Sequence, residues 1–211
     1  MAGAPRSGQE TESQLRSLRV NAIEQKAAIR AQVRARLEAR SESERATASA
    51  EVCRRLKQQA IWQRARAVLF YAPVAGEVDV WPLAAEAIAA GKQIALPRFD
   101  PSAGQYAAHL VQDFVRDLVV GRFGIREPGR RCARLVTGRA DLILVPGVAF
   151  DLRGNRLGRG RGYYDRLLAE VAGPRCGVAF DAQIVAGLPR EAHDLKMDLI
   201  VTPTRWMESI A

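Results

Sequence analysis

Short apolar runs alternate along this chain with longer segments in which hydrophobic residues recur at helical spacing. Runs of four or five apolar residues are typical of strands buried on both faces, and the longer segments are typical of helices that pack on a sheet. This order predicts an α/β fold with three α/β/α layers, in which helices cover both faces of a mostly parallel, open sheet. The predicted strands are 67–71, 93–96, 106–110, 142–145, 176–180 and 199–202, and the predicted helices are 21–37, 41–59, 79–90 and 163–168.

Local signals refine this outline. Ser41 and Glu44 have the spacing of a capping box, in which the serine side chain accepts a helix N–H and the glutamate reaches back to the serine N–H. The alternating pattern of 106–110 suits an edge strand, and residues 113–129 are predicted to be irregular. The positions of the second helix that we expect to face the core are Ala46, Ala50, Cys53 and Leu56.

Length and composition favour a single soluble domain. The chain has 211 residues, of which 48% are hydrophobic and 26% are charged. We expect one domain over 22–208, preceded by a disordered tail at 1–21. The N-terminus lacks the apolar core of a secretory signal, and no apolar run approaches the roughly 20 residues that span a bilayer. We therefore expect a cytoplasmic protein without a membrane partner, and we expect a monomer.

The cysteines and the charge distribution narrow the function further. Three cysteines that are far apart in the sequence predict neither a disulfide framework nor a zinc site. The net charge is +9, and residues 122–166 carry eleven Lys and Arg against four Asp and Glu. Such a basic block suits an anionic ligand. Nucleic acid is the other partner of a basic chain, but no helix-turn-helix, zinc-finger or aromatic RNA-binding signature is present. We therefore expect no nucleic-acid partner.

A loop rich in glycine and arginine separates the strand at 142–145 from the helix that begins at Tyr163. Glycine lets backbone N–H groups approach a ligand, and a helix N-terminus adds partial positive charge. The loop therefore predicts a phosphate site, and Asp165, directly after it, could hold a metal ion on that phosphate. The alternating residues of this loop are Arg153, Gly154, Arg156, Gly158, Arg159, Gly160, Arg161 and Gly162.

The loop composition by itself leaves other interpretations open. Alternating glycine and arginine also occurs in flexible RNA-binding segments and in plain surface loops. The loop does not have the Walker pattern, because no Gly-Lys-Ser/Thr closes it. It also lacks the G-x-G-x-x-G fingerprint of dinucleotide-binding folds.

Residues 147–165, G-V-A-F-D-L-R-G-N-R-L-G-R-G-R-G-Y-Y-D, resemble the signature of the 5-formyltetrahydrofolate cyclo-ligase family. The resemblance extends from about Lys26 to about Trp206. It implies an enzyme that uses MgATP to close 5-formyltetrahydrofolate to 5,10-methenyltetrahydrofolate, with release of ADP and phosphate. Phosphorylation of the formyl oxygen makes that oxygen a leaving group, so that N10 can close the ring. The alternative is a relative of the same fold that binds nucleotide or folate without this activity.

The resemblance also assigns residues to ATP. Lys26 and Arg30 match an opening Lys-x-x-x-Arg that contacts ATP, although their spacing alone favours a solvated basic face. Arg159 and Arg161 are the expected catalytic cations. Many relatives have Lys or Gly where Arg161 stands, and arginine is bulkier and bidentate. The expected ATP-binding set is Lys26, Arg30, Arg156, Leu157, Gly158, Arg159, Gly160, Arg161, Gly162, Tyr163 and Tyr164.

Folate and metal are assigned to other residues. Glu77, in the loop after the first strand, is expected to contact the folate, and Asp165 and Asp194 are the expected Mg²⁺ ligands. Two carboxylates suit magnesium when phosphate oxygens and water complete the coordination. His193 alone makes no metal-ligand pattern, and we interpret it as structural. The expected folate-binding set is Ala72, Glu77, Tyr163 and Tyr164.

Overall fold

The computed structural model describes residues 7–135, 138–191 and 194–209, with side chains from Ala22 onward. Its helices are α1 (Ser7–Glu38), α2 (Glu42–Lys57), α3 (Ala60–Arg64), α4 (Trp81–Ala89), α5 (Phe114–Asp117) and α6 (Tyr163–Glu170). Its strands are β1 (Ala67–Leu69), β2 (Gln93–Asp100), β3 (Gln105–Val111), β4 (Leu118–Val120), β5 (Arg126–Pro128), β6 (Leu142–Pro146), β7 (Ala149–Asp151), β8 (Arg156–Leu157), β9 (Arg175–Val178), β10 (Ile184–Val185), β11 (Leu199–Val201) and β12 (Trp206–Glu208). Among the described helices, none combines the length and apolar character that crossing a bilayer requires.

Seven strands form the main sheet, in the order β12-β11-β9-β6-β1-β2-β3. The inner strands pair in parallel, and the edge strands β12 and β3 run antiparallel to their neighbours. The prediction of a mostly parallel open sheet is confirmed, as is the edge position of the strand around 106–110. Two smaller sheets accompany the main one: β10-β7-β8, and the pair β4-β5.

Helices cover both faces of the main sheet. Successive residues of a strand therefore point into two separate cores. On β6, Leu142 and Leu144 pack into a core shared with α2, α3 and α4. Ile143 and Val145 pack into a second core shared with α6. Every residue of β6 is buried, as the sequence predicts for a strand covered on both faces. The three-layer α/β/α architecture is therefore confirmed.

The direction of strand addition reverses between β1 and β6. The chain passes from β1 through α4 to β2 on one side, and from β6 through α6 to β9 on the other. Right-handed crossovers in opposite directions place their helices on opposite faces. The loops that leave β1 and β6 diverge at this point, and a crevice forms at the carboxyl ends of the two strands.

Helix α1 begins at Ser7, well before the start predicted near Asn21. The expected irregular tail is thus helical from Ser7, whereas the domain boundary stays a prediction. This stretch is rich in Glu, Gln, Leu and Arg, which are good helix formers, but it has no apolar stripe that would reveal a helix. Further along α1, Val33 is fully buried against Ala149 and Leu157. That contact anchors the helix beside β7 and β8.

Side chains fix two helix ends. The capping box of α2 is confirmed, since Ser41 Oγ accepts the Glu44 N–H at 3.2 Å and the Glu44 carboxylate accepts the Ser41 N–H at 2.7 Å. Helix α3 is not predicted by the sequence pattern. Its C-terminal end is held by Lys92, whose Nζ donates to the carbonyls of Trp62 at 3.0 Å and Ala65 at 2.5 Å. Lysine near a helix C-terminus also suits the helix dipole.

The predicted core stripe of α2 is partly wrong. Cys53 and Leu56 are buried as expected, but Ala46 and Ala50 are exposed. Val52 faces the core instead. A valine loses more apolar surface on burial than an alanine does, so the larger side chain determines which face of the helix turns inward.

Two strand regions also differ from the sequence prediction. Strand β2 runs through Pro97 to Asp100, although a stop is predicted at the proline. The ladder with β1 ends at Ala95, and proline is tolerated where a strand has become an edge. The segment 113–129, predicted to be irregular, forms α5 and the β4-β5 pair. Local sequence does not reveal β4 and β5, because three residues each are too few to show an alternating pattern.

Removal of residues 1–20 tests the domain boundary. We expect the truncated protein to keep a near wild-type melting temperature and turnover, because the buried contacts of Val33 lie beyond the deletion. A longer deletion, through Val33, should lower the melting temperature clearly, since it removes the packing on Ala149 and Leu157. Thermal unfolding and activity of both truncated proteins are the measurements. A large loss in the shorter deletion would place the start of the domain inside residues 1–20.

Candidate active site

A cleft of about 790 Å³ opens where the loops after β1 and β6 diverge. Ala72 and Glu77 come after β1 in the chain. Pro146 is the last residue of β6, and Gly147 follows it. The structure brings the complete set of sequence-predicted site residues to this cleft, and their individual roles stay predictions. The predicted residues that line it are Lys26, Arg30, Ala72, Glu77, Arg156, Leu157, Gly158, Arg159, Gly160, Arg161, Gly162, Tyr163, Tyr164, Asp165 and Asp194.

The glycine loop forms one wall of the cleft and leads into α6. The loop is more ordered than the sequence predicts, because β7 and β8 pair before it. Gly162 adopts a left-handed conformation, with φ 64°, at the N-cap of α6, and no side chain caps that helix. Gly160 has φ 93°, and a Cβ there would lie 3.5 Å from the Arg30 guanidinium. Glycine at these positions keeps the backbone strain-free and leaves space beside a cation.

Two basic residues of α1 reach the same wall. Arg30 Nε donates to the Gly158 carbonyl at 3.0 Å. Lys26 Nζ lies 2.6 Å from Glu191 Oε2 and 3.5 Å from Asp194 Oδ2. The Lys26 side chain is only 14% exposed, so it is not part of a solvated face. The roles of Lys26 and Arg30 toward ATP stay predictions.

Arg156 and Asp165 form a pair at the base of the cleft. Arg156 Nη2 donates to Asp165 Oδ1 at 2.5 Å, and Nη1 donates to the Pro146 carbonyl at 3.3 Å. The Arg156 side chain is 5% exposed, and its Nε is buried without a hydrogen-bond partner in the described part of the chain. The Asp165 carboxylate therefore compensates the charge of a guanidinium that is almost fully withdrawn from water.

Glu77 faces the glycine loop from the opposite wall. Its carboxylate lies 3.2 Å from Arg159 Nη2 and also accepts the Val74 N–H at 3.2 Å. Burial raises the pKa of Glu77, and the Arg159 charge opposes this shift. The pair thus connects the loop after β1 with the glycine loop.

Aromatic side chains line another wall of the cleft. Tyr106 and Tyr163 meet edge to face, with ring centroids 5.5 Å apart, and each meets Phe99 in the same way. Tyr164 follows Tyr163 and packs against both main cores, so burial raises its pKa well above the ordinary value. An aromatic wall of this kind suits a flat conjugated ring.

Glu127 is a cleft residue that sequence reasoning missed. It is 4% exposed, its Oε2 accepts the Phe99 N–H at 3.1 Å, and its Oε1 accepts the Tyr106 hydroxyl at 3.4 Å. Burial, followed by the Glu127 charge, raises the pKa of Tyr106 to about 12. Glu127 comes from β5, in the segment predicted to be irregular, so no local signal could have placed it here.

A protein-family model described as the 5-formyltetrahydrofolate cyclo-ligase family matches residues 22–203. The chain belongs to this family. The resemblance drawn from residues 147–165 is thereby confirmed. The cyclo-ligase of mouse (Mus musculus) is 30% identical over an alignment of 187 residues, which covers 83% of this chain and 92% of the mouse protein. The cyclo-ligase of Mycolicibacterium smegmatis is 36% identical over an alignment of 145 residues, which covers 66% of this chain and 75% of that protein.

Solved structures agree with membership of the cyclo-ligase family. The NMR structure of Aquifex aeolicus 5,10-methenyltetrahydrofolate synthetase matches with a TM-score of 0.78 and 38% identity, over 87% of this chain and 92% of that one. The 5,10-methenyltetrahydrofolate synthetase of Mycoplasma pneumoniae has a TM-score of 0.66 at 20% identity, over 84% and 98% of the two chains. The second likeness shows the fold alone.

The described carboxylates of the cleft do not by themselves form a complete metal cage. Within the described residues, no group of three or more His, Cys, Asp or Glu side chains is arranged to hold a metal ion. Asp165 and Asp194 are the predicted metal ligands, and each lies beside a cation. His193, interpreted above as structural, lies outside the described residues. A metal ion here would need oxygen ligands from a bound molecule and from water.

Replacement of Glu127 by glutamine tests how the negative charge beside the aromatic wall affects the stability of the fold. Burial raises the pKa of Glu127 above its ordinary 4.5, so the ionised carboxylate destabilises the folded state relative to the protonated form. Glu127→Gln should therefore raise the melting temperature at neutral pH. The gain should shrink as the pH falls through the raised pKa, and it should be absent below 4.5, where both folded and unfolded wild-type chains are protonated.

Thermal unfolding of wild type and Glu127→Gln between about pH 4 and pH 8 measures this difference. Glu86→Gln is the matched control, because Glu86 is an exposed partner of Lys57 on the outer surface. The difference in melting temperature between this control and wild type should depend little on pH. The prediction would be contradicted if Glu127→Gln and wild type had equal melting temperatures throughout this pH range. The Glu127 charge would then not destabilise the folded state.

Proposed function

We propose that this protein closes 5-formyltetrahydrofolate to 5,10-methenyltetrahydrofolate and consumes MgATP in the reaction, releasing ADP and phosphate. Membership of the cyclo-ligase family and the names of its relatives support the folate conversion. The observation that carries the ATP-dependent reaction is the convergence of cations, an open helix N-terminus and two carboxylates in one cleft. These groups come from three separate parts of the chain, so their meeting is a property of the fold.

The glycine-loop wall is the proposed nucleotide site. Lys26, Arg30 and Arg159 project into the cleft together with the uncapped N-terminus of α6. Backbone N–H groups and the helix dipole favour phosphate at such a position. Arg161 completes the set, with its guanidinium 4.9 Å from the centroid of the Phe123 ring. This wall therefore presents several cations and a helix N-terminus to an open volume, which fits a polyphosphate.

Asp165 and Asp194 are the proposed magnesium ligands. Arg156 pairs with Asp165, and Lys26 lies beside Asp194. A magnesium nucleotide can exchange partners with both pairs, because the phosphates attract the cations and the metal attracts the carboxylates. This exchange would keep each buried charge compensated before and after binding.

The wall opposite the glycine loop is the proposed folate site. Glu77 offers a carboxylate acceptor for the N–H groups of a pterin, and its burial would strengthen such hydrogen bonds. Tyr163, in contact with Tyr106 and Phe99, offers an aromatic face beside it. Ala72 lines the same end of the cleft and leaves room for the ring.

The chemistry requires alignment and positive charge more than a nucleophilic side chain. MgATP supplies the phosphoryl group that converts the formyl oxygen into a leaving group, after which N10 closes the ring and phosphate departs. Arg159 and Arg161 are proposed to stabilise the charge that develops on the transferred phosphoryl oxygens. Arg159 contacts Glu77 at 3.2 Å, so this cation lies at the junction of the proposed nucleotide and folate sites.

The direct test follows formation of 5,10-methenyltetrahydrofolate by absorbance with purified protein. We expect product only when 5-formyltetrahydrofolate, ATP and Mg²⁺ are all present, because phosphoryl transfer needs the metal to neutralise phosphate charge. Omission of each component in turn provides the controls. Equal turnover in excess EDTA would contradict the metal-dependent reaction, and nucleotide binding without turnover would favour the related protein that lacks this activity.

Asp165→Asn tests the metal assignment. Asparagine keeps an oxygen for the contact with Arg156 but removes the negative charge, so the fold should change less than the activity. We expect kcat to fall on the order of tenfold or more, since about 1.4 kcal/mol of lost transition-state stabilisation is a factor of ten. Asp141→Asn is the control, because Asp141 accepts two backbone N–H groups away from the cleft. A near wild-type kcat at all magnesium concentrations would return Asp165 to a structural role.

Glu77→Ala tests the division between folate and nucleotide. The loss of a charged acceptor costs ~1.5–3 kcal/mol, so KM for the folate should rise roughly tenfold to a hundredfold. ATP affinity should be retained, because removal of Glu77 frees Arg159 for phosphate. Steady-state kinetics and calorimetry with a non-hydrolysable ATP analogue measure the two effects, with Glu86→Ala as the surface control. A parallel loss of nucleotide affinity would argue against separate sites.

A further inference from the structure

Asp151 is a buried carboxylate at the end of β7, outside the set of described residues that line the cleft. It is 1% exposed, and both of its oxygens accept hydrogen bonds. Oδ1 accepts the N–H groups of Arg153 and Asn155, each at 3.0 Å. Oδ2 accepts the Asn155 side-chain amide and the Leu188 N–H, each at 2.9 Å. A carboxylate buried to this degree needs such a complete set of donors.

These hydrogen bonds join two segments that are distant in the sequence. The first is the tight turn between β7 and β8, which leads directly into Arg156 and the glycine loop. The second begins at Leu188 and continues to β11, and it contains Asp194. Asp151 therefore ties the glycine loop to the segment that carries one of the proposed metal ligands.

A second contact fastens the other end of the Asp194 segment to the same turn. The Met197 N–H donates to the Gly154 carbonyl at 2.8 Å. Gly154 has φ 79°, and a Cβ there would lie 2.4 Å from the Met197 carbonyl oxygen, so the two backbones are in close contact. Asp194 thus lies between two points, Leu188 and Met197, that are both held by the β7-β8 turn.

We propose that Asp151 is a positioning residue that sets the distance between Asp194 and the glycine loop, so that a metal ion can be shared by Asp165, Asp194 and the bound phosphates. The inference rests on the proposed function. Asp151 would touch neither nucleotide nor folate. Its effect would be transmitted through Leu188 to Asp194 and through the β7-β8 turn to the glycine loop. Partners that orient metal ligands in this way commonly change metal affinity by about tenfold to a hundredfold when mutated.

Asp151→Asn is the informative change. Asparagine has nearly the same shape, but its NH₂ group takes the place of one carboxylate oxygen. At that position it faces N–H donors, from which it cannot accept a hydrogen bond. At least one contact would therefore be lost, and the tie between the turn and Leu188 would loosen. We expect the apparent affinity for Mg²⁺ in the presence of a non-hydrolysable ATP analogue to fall about tenfold or more. Folate affinity should change little, because Glu77 belongs to the loop after β1.

The experiment compares wild type, Asp151→Asn and Asp141→Asn by calorimetric titration of MgCl₂ into protein saturated with the ATP analogue. Asp141 is a matched control, since its Oδ2 accepts the N–H groups of Arg66 and Ala67 at 2.8 and 2.9 Å at the amino end of β6. Folate binding and the melting temperature are measured for each protein. Weakened Mg²⁺ binding with retained folate binding, seen in Asp151→Asn alone, is the expected result.

Asn155→Ala provides a milder variant for the case in which Asp151→Asn does not fold. It removes a single donor to Asp151 Oδ2 and leaves the backbone contacts of the carboxylate in place. We expect a smaller loss of Mg²⁺ affinity in the same direction. Lower melting temperatures with unchanged Mg²⁺ affinity in the folded variants would overturn the positioning role. Binding of the magnesium nucleotide by wild type without turnover would contradict the proposed reaction only, and the comparison of Mg²⁺ affinities would stand.

Discussion

The parallel pairing of β1 with β6 is the constraint on which the rest of the molecule depends. These strands are distant in sequence, and their neighbours are added in opposite directions. The reversal opens the crevice, places Glu77 on one wall and directs the chain after β6 toward the glycine loop on the other. Because β6 is buried on both faces, its position is fixed by two cores at once. The site is therefore held by a strand that is packed on both faces.

What the sequence predicts well is what depends on neighbouring residues. The apolar run of β6, the capping box at Ser41 and the glycine loop before Tyr163 are local patterns, and the structure has each of them. The placement of Glu127 depends instead on contacts with Phe99 and Tyr106, which lie on other strands. Local periodicity contains no information about such partners, so the aromatic wall could not be derived from it.

In the candidate site, too, some features follow from local sequence and others do not. A single string of residues around the glycine loop, together with a few positions elsewhere, names many of the side chains that meet in the cleft, but Glu127 is not among them. The string does not say which cation pairs with which carboxylate. Arg156 pairs with Asp165, and Arg159 pairs with Glu77. Arg156 is almost fully buried, and breaking a buried pair without replacement typically costs about 3–5 kcal/mol. A ligand must therefore bring charges that substitute for those it displaces, which favours a molecule that carries both signs.

The docking of α1 has a consequence for the N-terminal part of the chain. Val33 holds this helix against β7 and β8, while Arg30 and Lys26 on the same helix contact the glycine loop and the Asp194 segment. A ligand that binds these two cations binds only the docked arrangement of the helix. By mass action, such a ligand shifts the helix toward the docked state. Resistance of α1 to proteases would then report how fully the cleft is occupied, without any observation of the reaction itself.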